Sequence, residues 1–583
     1  MKSIRTYIGV CALILLVTFA ANYSIIFLNK SMYLDDMGGY LLGLEGRLQP
    51  LVAREYPLLA YFLDIANRCM VTSLVFARVY ITFFLVLSNI VLFYILYRLL
   101  KFSILLSFVA AIFPSILPGQ TLIPGYIAGS YTVFGSLFLF LSILLAKKYI
   151  ETKKSRWIYL LAFVLAYICS LLVMLNSVFY FLPLAFIFLA FNNFRINKRI
   201  QVLLFIIILA DLYPVLLHLF SLSSFTSQTS VHLSIGQMWV RLKESIFYLC
   251  PVGFNSMIAK IMTGVFVVLI SVGAFSWLMH QFKKIKTNNL IFSEMVSGSL
   301  PMWLGVIWFV SGSLVFWFTS PYFESRYFHL ASYGSGMLIA FFILKIDKPP
   351  SGLSNEKFSI SKNYGSIALL VLVSIMILSK ISLQRDYVQT QNSIYYLYKN
   401  ELAKIDYPRD SQIVVTDSES PIIGGFWVFS SGYLKYLTGR ADITGNIFYS
   451  ELQFYNPFNP SERKWNTRMT GIDLAKPIYL YRATKNKLVP VKYALQWQLS
   501  SWTKNIPGAT TLGGNSAGKL IQSPWKIYEF DVKTGKNIVL KDGVGLVSYK
   551  IAVNNLFKIG VIENEILWAG PMSNNTKTRF GLN

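Results

Sequence analysis

Long apolar stretches recur through the first two thirds of the chain, and they restrict the folds open to it more than any other feature. A helix that crosses a bilayer needs about 20 mostly apolar residues, because lipid offers the backbone no hydrogen-bonding partner. About eleven stretches approach that length. They predict a polytopic α-helical membrane protein with spans at 6–28, 71–97, 101–119, 124–146, 157–174, 176–192, 200–220, 258–280, 300–319, 327–345 and 364–383.

Basic residues are distributed unevenly between the two sides of the predicted membrane domain. About 19 Lys and Arg residues fall in alternate connections, whereas about seven fall in the others. Cytoplasmic loops are enriched in Lys and Arg, so the N-terminus is predicted to be cytoplasmic, and residues 29–70 and everything after about residue 384 to lie outside. The alternation requires that 157–192 form two short helices that meet near Asn176.

The sequence changes character after residue 383, where polar and aromatic residues mix and no apolar run of spanning length remains. Residues 384–405 have the pattern of an amphipathic helix. Residues 411–416, 478–481, 525–530 and 537–540 have the pattern of strands. We therefore predict two domains: a membrane domain at 1–383, with its first outer loop at 29–70, and an extracytoplasmic α+β domain at 384–583.

The chain is strongly basic, with a formal net charge of +26, and apolar, with a mean hydropathy of +0.53. Basic cytoplasmic loops beside anionic lipid account for the charge, and no basic-aromatic module is present, so nucleic acid is not an expected partner. None of the four cysteines has the spacing of a metal site, and we predict no metal centre. Cys69 and Cys250 both fall on the predicted outer side, where a disulfide between them is an open alternative.

Two adjacent acids, Asp35 and Asp36, lie near the start of the first predicted outer loop. One explanation is structural, because a carboxylate just before a helix caps its first free N–H groups. Apolar spacing from Tyr40 to Leu51 and from Leu58 to Leu63 indicates two helices at the membrane interface, and the acids come before the first of them. A cap needs only one acid, and adjacent like charges repel. The second acid therefore favours a functional role.

The run from Ser320 to His329, between the ninth and tenth predicted spans, holds a second group of candidates. Arg326 is predicted to begin the tenth helix at the outer interface, with His329 one turn further along the same face. A guanidinium there can grip a phosphate through two parallel N–H bonds. Alternatively, Arg326 reaches lipid headgroups or pairs with Glu324. For His329, an interior histidine with satisfied hydrogen bonds is a better interpretation than a catalytic one.

Together these short motifs resemble the GT-C superfamily of membrane glycosyltransferases. Its hallmark is an acidic pair in the first outer loop, which here is followed by Gly46-Arg47 and by the run Arg54 to Leu59. The run Glu324 to Tyr327 is similar to the Arg-Tyr element at a late outer helix start in that superfamily. The Asp-Asp and Gly-Arg combination is most similar to bacterial O-antigen glucosyltransferases of the Gtr type. The resemblance covers the architecture of roughly the first 385 residues, and the last 200 or so exceed a small Gtr enzyme.

The resemblance implies a GT-C-like fold, a bacterial cytoplasmic (inner) membrane location and a polyprenyl-phosphate-linked sugar as donor, glucose in the Gtr type. The acceptor would be an envelope glycan or glycolipid such as the O-antigen of lipopolysaccharide. A carboxylate would take the proton of the acceptor hydroxyl while the lipid phosphate leaves towards a cation. A bridging Mg²⁺ or Mn²⁺ stays open. The implied catalytic residues are Asp35 and Asp36, the implied phosphate ligands are Arg326 first and then Arg47 and Arg54, and the further candidates are Glu55, Glu324, Tyr327 and His329.

Three other functions are compatible with parts of this pattern. A polysaccharide polymerase or ligase would use the same class of lipid-linked substrate. A flippase or transporter would carry ionisable groups at mid-membrane, where this sequence has few, with Asp211 and His218 as the main exception. A structural assembly protein would leave the acidic pair unexplained.

Overall fold

The structure, a computed structural model, describes most of the membrane part and selected segments of the remainder. The described residues are 2–32, 36–48, 56–120, 123–152, 156–174, 179–220, 299–319, 328–345, 364–416, 430–448, 478–483, 488–491, 510–515, 518–531, 536–547, 557–562 and 565–570.

The chain divides into two compact units, and the division does not follow a single cut in the sequence. The membrane unit comprises residues 1–29 and 48–388, and the second unit comprises residues 30–47 and 389–583. Much of the first predicted outer loop is therefore grouped with the C-terminal residues. The location of the C-terminal residues outside the membrane stays a prediction.

Helices dominate the described residues up to 402. In chain order they are α1 Lys2–Ala21, α2 Asp36–Glu45, α3 Pro57–Thr72, α4 Leu74–Tyr94, α5 Ile104–Ile116, α6 Tyr131–Glu151, α7 Arg156–Val173, α8 Phe181–Phe191, α9 Lys198–Phe220, α10 Leu300–Thr319, α11 His329–Lys345 and α12 Tyr364–Leu402. Short π-helical turns at Ser24–Leu28 and Ile95–Leu99 extend α1 and α4.

These helices make the chain a polytopic helical membrane protein. In the described part, five stretches are long and apolar enough to cross a membrane: Ile4–Ala21, Leu74–Leu99, Tyr131–Glu151, Arg156–Val173 and Tyr364–Leu402. Shorter apolar helices occur at Ile104–Ile116, Phe181–Phe191, Leu300–Ser313 and His329–Lys345. The predicted span 258–280 lies outside the described residues, so the count of eleven stays a prediction.

Several helix boundaries differ from the predicted ones, and three of them have a local explanation. The span predicted from residue 71 begins at Leu74, because the Ser73 hydroxyl accepts the N–H of Val75 and caps a new helix there. The span predicted from residue 124 begins at Tyr131, after a turn that follows Pro124. The predicted helices 364–383 and 384–405 are one helix, α12, since no Pro or Gly interrupts the sequence after Gly365.

Helices α10 and α11 pack through glycines at their crossing. A Cβ added to Gly334 would lie 2.6 Å from both the carbonyl oxygen of Gly305 and the backbone nitrogen of Phe309. The Trp308 indole donates a hydrogen bond to the Leu330 carbonyl at 2.9 Å, which fixes the register of the two helices. Close backbone approach at small residues is the usual way in which helices associate in lipid.

The C-terminal residues contain two sheets. Strands β1 Gln412–Thr416, β2 Thr444–Phe448, β3 Ile478–Ala483 and β4 Leu488–Val491 form the first, in the order β2-β1-β3-β4, with β1 parallel to β2 and β3. Helix α13, Ser430–Thr438, lies between β1 and β2 in the chain. Strands β5 Thr510–Asn515, β6 Gly518–Asp531, β7 Lys536–Val547, β8 Phe557–Ile562 and β9 Glu565–Gly570 form an antiparallel sheet. Each of the four predicted strands overlaps a strand of the structure.

We predict that Gly334→Ala lowers the free energy of unfolding by about 1–3 kcal/mol, since the new methyl group meets backbone atoms that cannot rotate away. Thermal unfolding of the purified protein in detergent measures the effect. Gly9→Ala is the matched control, because a Cβ at Gly9 in α1 meets nothing within 4 Å. Equal stability of the two variants would contradict the tight crossing of α10 and α11.

Candidate functional site

Asp36 lies in the first turn of α2, and its side chain is only 1% exposed. A carboxylate at a helix N-terminus is stabilised by the free N–H groups and the positive end of the helix dipole. Capping alone does not require burial, since exposed carboxylates cap helices well. Asp35 lies outside the described residues. Which of the two acids is the base therefore stays undecided.

The acidic helix, as we call α2, is part of the second unit and packs against α13. Met37 and Tyr40 are buried beside Asp36 on this helix. Burial also raises the pKa of the Tyr40 hydroxyl above its ordinary value, so this group keeps its proton at neutral pH. The acidic helix is therefore a packed element of the fold and not a loosely attached surface turn.

Arg47, a candidate phosphate ligand, follows the acidic helix and is largely exposed. Its guanidinium forms an ion pair with Glu45 at 3.7 Å, and the two side chains are 75% and 42% exposed. Exposed pairs of this kind contribute about 0–1 kcal/mol, because water and salt screen them. Arg47 is therefore free to exchange Glu45 for a phosphate at little cost.

Five further candidates lie outside the described residues, namely Arg54, Glu55, Glu324, Arg326 and Tyr327, and their roles stay predictions. Cys69 is a free thiol in the structure, so the alternative of a Cys69–Cys250 disulfide is wrong. In the described part of the chain, no group of three or more His, Cys, Asp or Glu side chains comes together as a metal site would require. The alternative of a bridging Mg²⁺ or Mn²⁺ stays open.

His329 is the first residue of α11 and is completely buried. Its ring packs edge-on against Tyr333, with ring centroids 5.4 Å apart. Neither ring nitrogen has a hydrogen-bond partner among the described residues. An interior histidine with a purely structural role would ordinarily have at least one hydrogen bond.

Lys380 belongs to a cluster of buried polar side chains inside the membrane unit. The Asn89 amide donates to the Ser115 hydroxyl at 2.8 Å and accepts from the Tyr333 hydroxyl at 3.0 Å. The Gln384 amide donates to the Asn22 side chain at 3.1 Å. The buried polar cluster, as used below, consists of Asn22, Asn89, Ser115, Tyr333, Lys380 and Gln384.

Lys380 is fully buried, and its Nζ donates to the Ser115 carbonyl at 2.7 Å. It forms no ion pair with any carboxylate in the described segments. Asn22 also donates to the Ser115 carbonyl, at 3.3 Å, so that this carbonyl has a second donor. Lys380 is not among the candidates predicted from the sequence. The signal was a basic residue inside a predicted span, three residues before its outer end at 383.

Asp211, a notable acid of the predicted spans, lies on α9 and is half-buried. It accepts a hydrogen bond from the Tyr167 hydroxyl at 2.7 Å. A single partner of this kind gives Asp211 a structural explanation. The side chain of His218, which the sequence places near it, lies outside the described residues.

Comparison with known proteins gives a structural likeness but no sequence relative. No protein-family model matches the chain, and no curated protein matches its sequence. Among solved structures, the crystal structure of ArnT from Cupriavidus metallidurans bound to undecaprenyl phosphate matches with a TM-score of 0.42 and 8% identity. The match covers 89% of this chain and 97% of that chain. A TM-score of this size does not establish a common fold, so the likeness assigns no activity to this chain.

We predict that Lys380→Met leaves the stability unchanged or raises it by about 1–4 kcal/mol, because burial of an amino group costs desolvation free energy and no carboxylate among the described residues pairs with it. Asn89→Leu should lower stability by about 1–3 kcal/mol, since it leaves the buried Tyr333 and Ser115 hydroxyls without their shared partner. Thermal unfolding in detergent compares the two variants. A larger loss for Lys380→Met than for Asn89→Leu would show that Lys380 is retained for stability.

Proposed function

We propose that this protein is a glycosyltransferase that moves a sugar from a polyprenyl-phosphate carrier to an extracytoplasmic envelope glycan or glycolipid. The observation that carries the proposal is the burial of Asp36 in the first turn of the acidic helix, next to a second acid in the sequence. Taking a carboxylate out of water costs free energy that a helix cap does not require. Burial of this carboxylate beside a second acid therefore supports a role in chemistry in addition to capping.

The reaction is a direct displacement at the anomeric carbon of the donor. The acceptor hydroxyl forms a bond to that carbon, its proton passes to a carboxylate of the Asp35-Asp36 pair, and the bond from carbon to phosphate oxygen breaks. The polyprenyl phosphate leaves with the electron pair of that bond. General-base catalysis of this kind typically contributes about 10²–10⁴ to the rate.

The leaving phosphate gains negative charge and needs cations aimed at it. Arg326 remains the first choice from the sequence, with Arg47 and Arg54 next. The exposure of Arg47 and its weak pair with Glu45 support its availability for a phosphate. Glucose as the sugar, O-antigen as the acceptor and the bacterial inner membrane as the location follow from the Gtr resemblance and form part of the proposal.

A flippase or transporter of lipid-linked sugar is the second candidate, because one observation favours it. Lys380 is an ionisable side chain buried in the interior of a membrane-spanning helix, which is a usual mark of a substrate pathway. A transporter would depend on Lys380 and would tolerate loss of the acidic pair, whereas a glycosyltransferase would depend on the acids.

We expect Asp36→Asn to reduce sugar transfer by about 10²-fold or more, and the Asp35→Asn, Asp36→Asn double variant to abolish it, since the amide cannot take the proton. The glycan profile of the cell envelope, read at matched protein levels, measures transfer. Glu45→Gln is the control, because it removes an exposed charge from the same helix. Normal glycosylation by the double variant would overturn the proposed function, and loss of transfer in Lys380→Met alone would favour the transporter.

A further inference from the structure

The segment that carries Asp36 is tied to residues that follow it by several hundred positions. Residues 30–47 group with the C-terminal residues, although the chain enters this segment directly from the first membrane helix. Three kinds of contact make the connection: hydrogen bonds to the backbone of Lys30, a close approach of the acidic helix to Gly432, and an aromatic cluster.

The backbone of Lys30 is held on both sides of the residue. Its N–H donates to the Asn392 side-chain oxygen at 2.7 Å, and its carbonyl accepts from the Tyr436 hydroxyl at 2.8 Å. Asn392 lies on α12 and Tyr436 on α13, so two elements fix one residue at the entry to the segment. Such side-chain bonds replace the secondary-structure partners that a loop residue lacks.

The acidic helix approaches α13 so closely that only glycine fits between them. A Cβ added to Gly432 would overlap the carbonyl oxygen of Met37, the residue after Asp36. Gly432 and Met37 are both buried, so neither can move into solvent. The first turn of the acidic helix is thus set by backbone contact, which is stiffer than contact through a flexible side chain.

Three tyrosines from three elements complete the attachment. The ring of Tyr436 on α13 lies 5.5 Å from Tyr40 of the acidic helix, edge to face, and 5.7 Å from Tyr395 of α12. Tyr40 and Tyr395 are buried. Aromatic pairs in this geometry contribute about 0.5–1.5 kcal/mol each beyond the area that they bury.

We propose that Asn392, Gly432 and Tyr436 form a clamp within the second unit that sets the position of the acidic helix, so that they act as positioning residues for the carboxylate of Asp36. The inference rests on the proposed function for the role of Asp36 and adds a role for the C-terminal residues. A misplacement of about 1 Å at a reacting group can cost about 10²-fold in rate. The clamp therefore controls turnover without contacting the substrate.

Hydrogen exchange of the full-length protein in detergent, followed by mass spectrometry, tests the clamp directly. Tyr436→Phe removes the hydrogen bond to the Lys30 carbonyl. The rate of amide exchange in residues 36–45 should rise by about twofold to tenfold, which corresponds to the loss of one hydrogen bond. Gly432→Ala should raise it further, because backbone atoms must separate. Tyr396→Phe is the matched control, since Tyr396 lies on α12 and is 47% exposed. Exchange in β1, β3 and the membrane helices should stay as in the parent protein.

Transfer is measured in parallel with a polyprenyl-phosphate glucose donor and extracted envelope glycan as acceptor. For Tyr436→Phe and Gly432→Ala the maximal rate should fall by about tenfold or more, while the donor concentration for half-maximal rate changes by less than about threefold. Unchanged exchange at 36–45, or increased exchange throughout the protein, would overturn the clamp. Raised exchange confined to 36–45 with full transfer would support the clamp and contradict the role of Asp36 in the proposed function.

Discussion

The absence of water in the bilayer is the constraint on which the rest of this structure depends. Backbone groups in lipid must find partners within the protein, and this requirement produces the helices and also governs what happens at their ends. The carbonyl of Ser115, in the last turn of α5, has no partner within its own helix. Asn22, which directly follows α1, and Lys380 on α12 both donate to it. Three helices are thereby joined at one carbonyl.

The same constraint leaves the membrane unit two ways to hold its helices together. Close approach at glycines, as between Gly305 and Gly334, gives packing without polar groups. The buried polar cluster joins helices through hydrogen bonds. Such a cluster stabilises the protein only if every polar group in it has a partner. Asn89 satisfies this requirement by bonding Ser115 and Tyr333 at once. Lys380 brings an ionisable group to a carbonyl that a permanently neutral donor would serve equally well. A structural account therefore explains why a donor is present and leaves the choice of lysine to function.

Much of the helical architecture could be predicted from the sequence, because length and hydropathy decide which segments enter a bilayer. The predicted helix boundary was wrong where a single residue determines the start of the helix. At Ser73 the side-chain hydroxyl caps α4 within a continuous apolar run. The assignment of Asp36 to a helix start followed from apolar spacing. Its attachment to Gly432 and Tyr436 could not be predicted, since residues nearly 400 positions apart give no local pattern when only one sequence is considered. Lys380 had a signal, a charge within a span, that the pattern of loop charges obscured.

The proposed clamp gives the C-terminal residues a role in positioning Asp36. From the sequence, the last 200 or so residues exceed what a small glucosyltransferase contains, and their role is open. The structure groups residues 30–47 with them, so the carboxylate of Asp36 depends for its position on elements that lie outside the apolar spans in the sequence. A general base is effective only within hydrogen-bond reach of the proton that it takes. In the proposed clamp, Asn392, Gly432 and Tyr436 therefore set the rate through the position of Asp36.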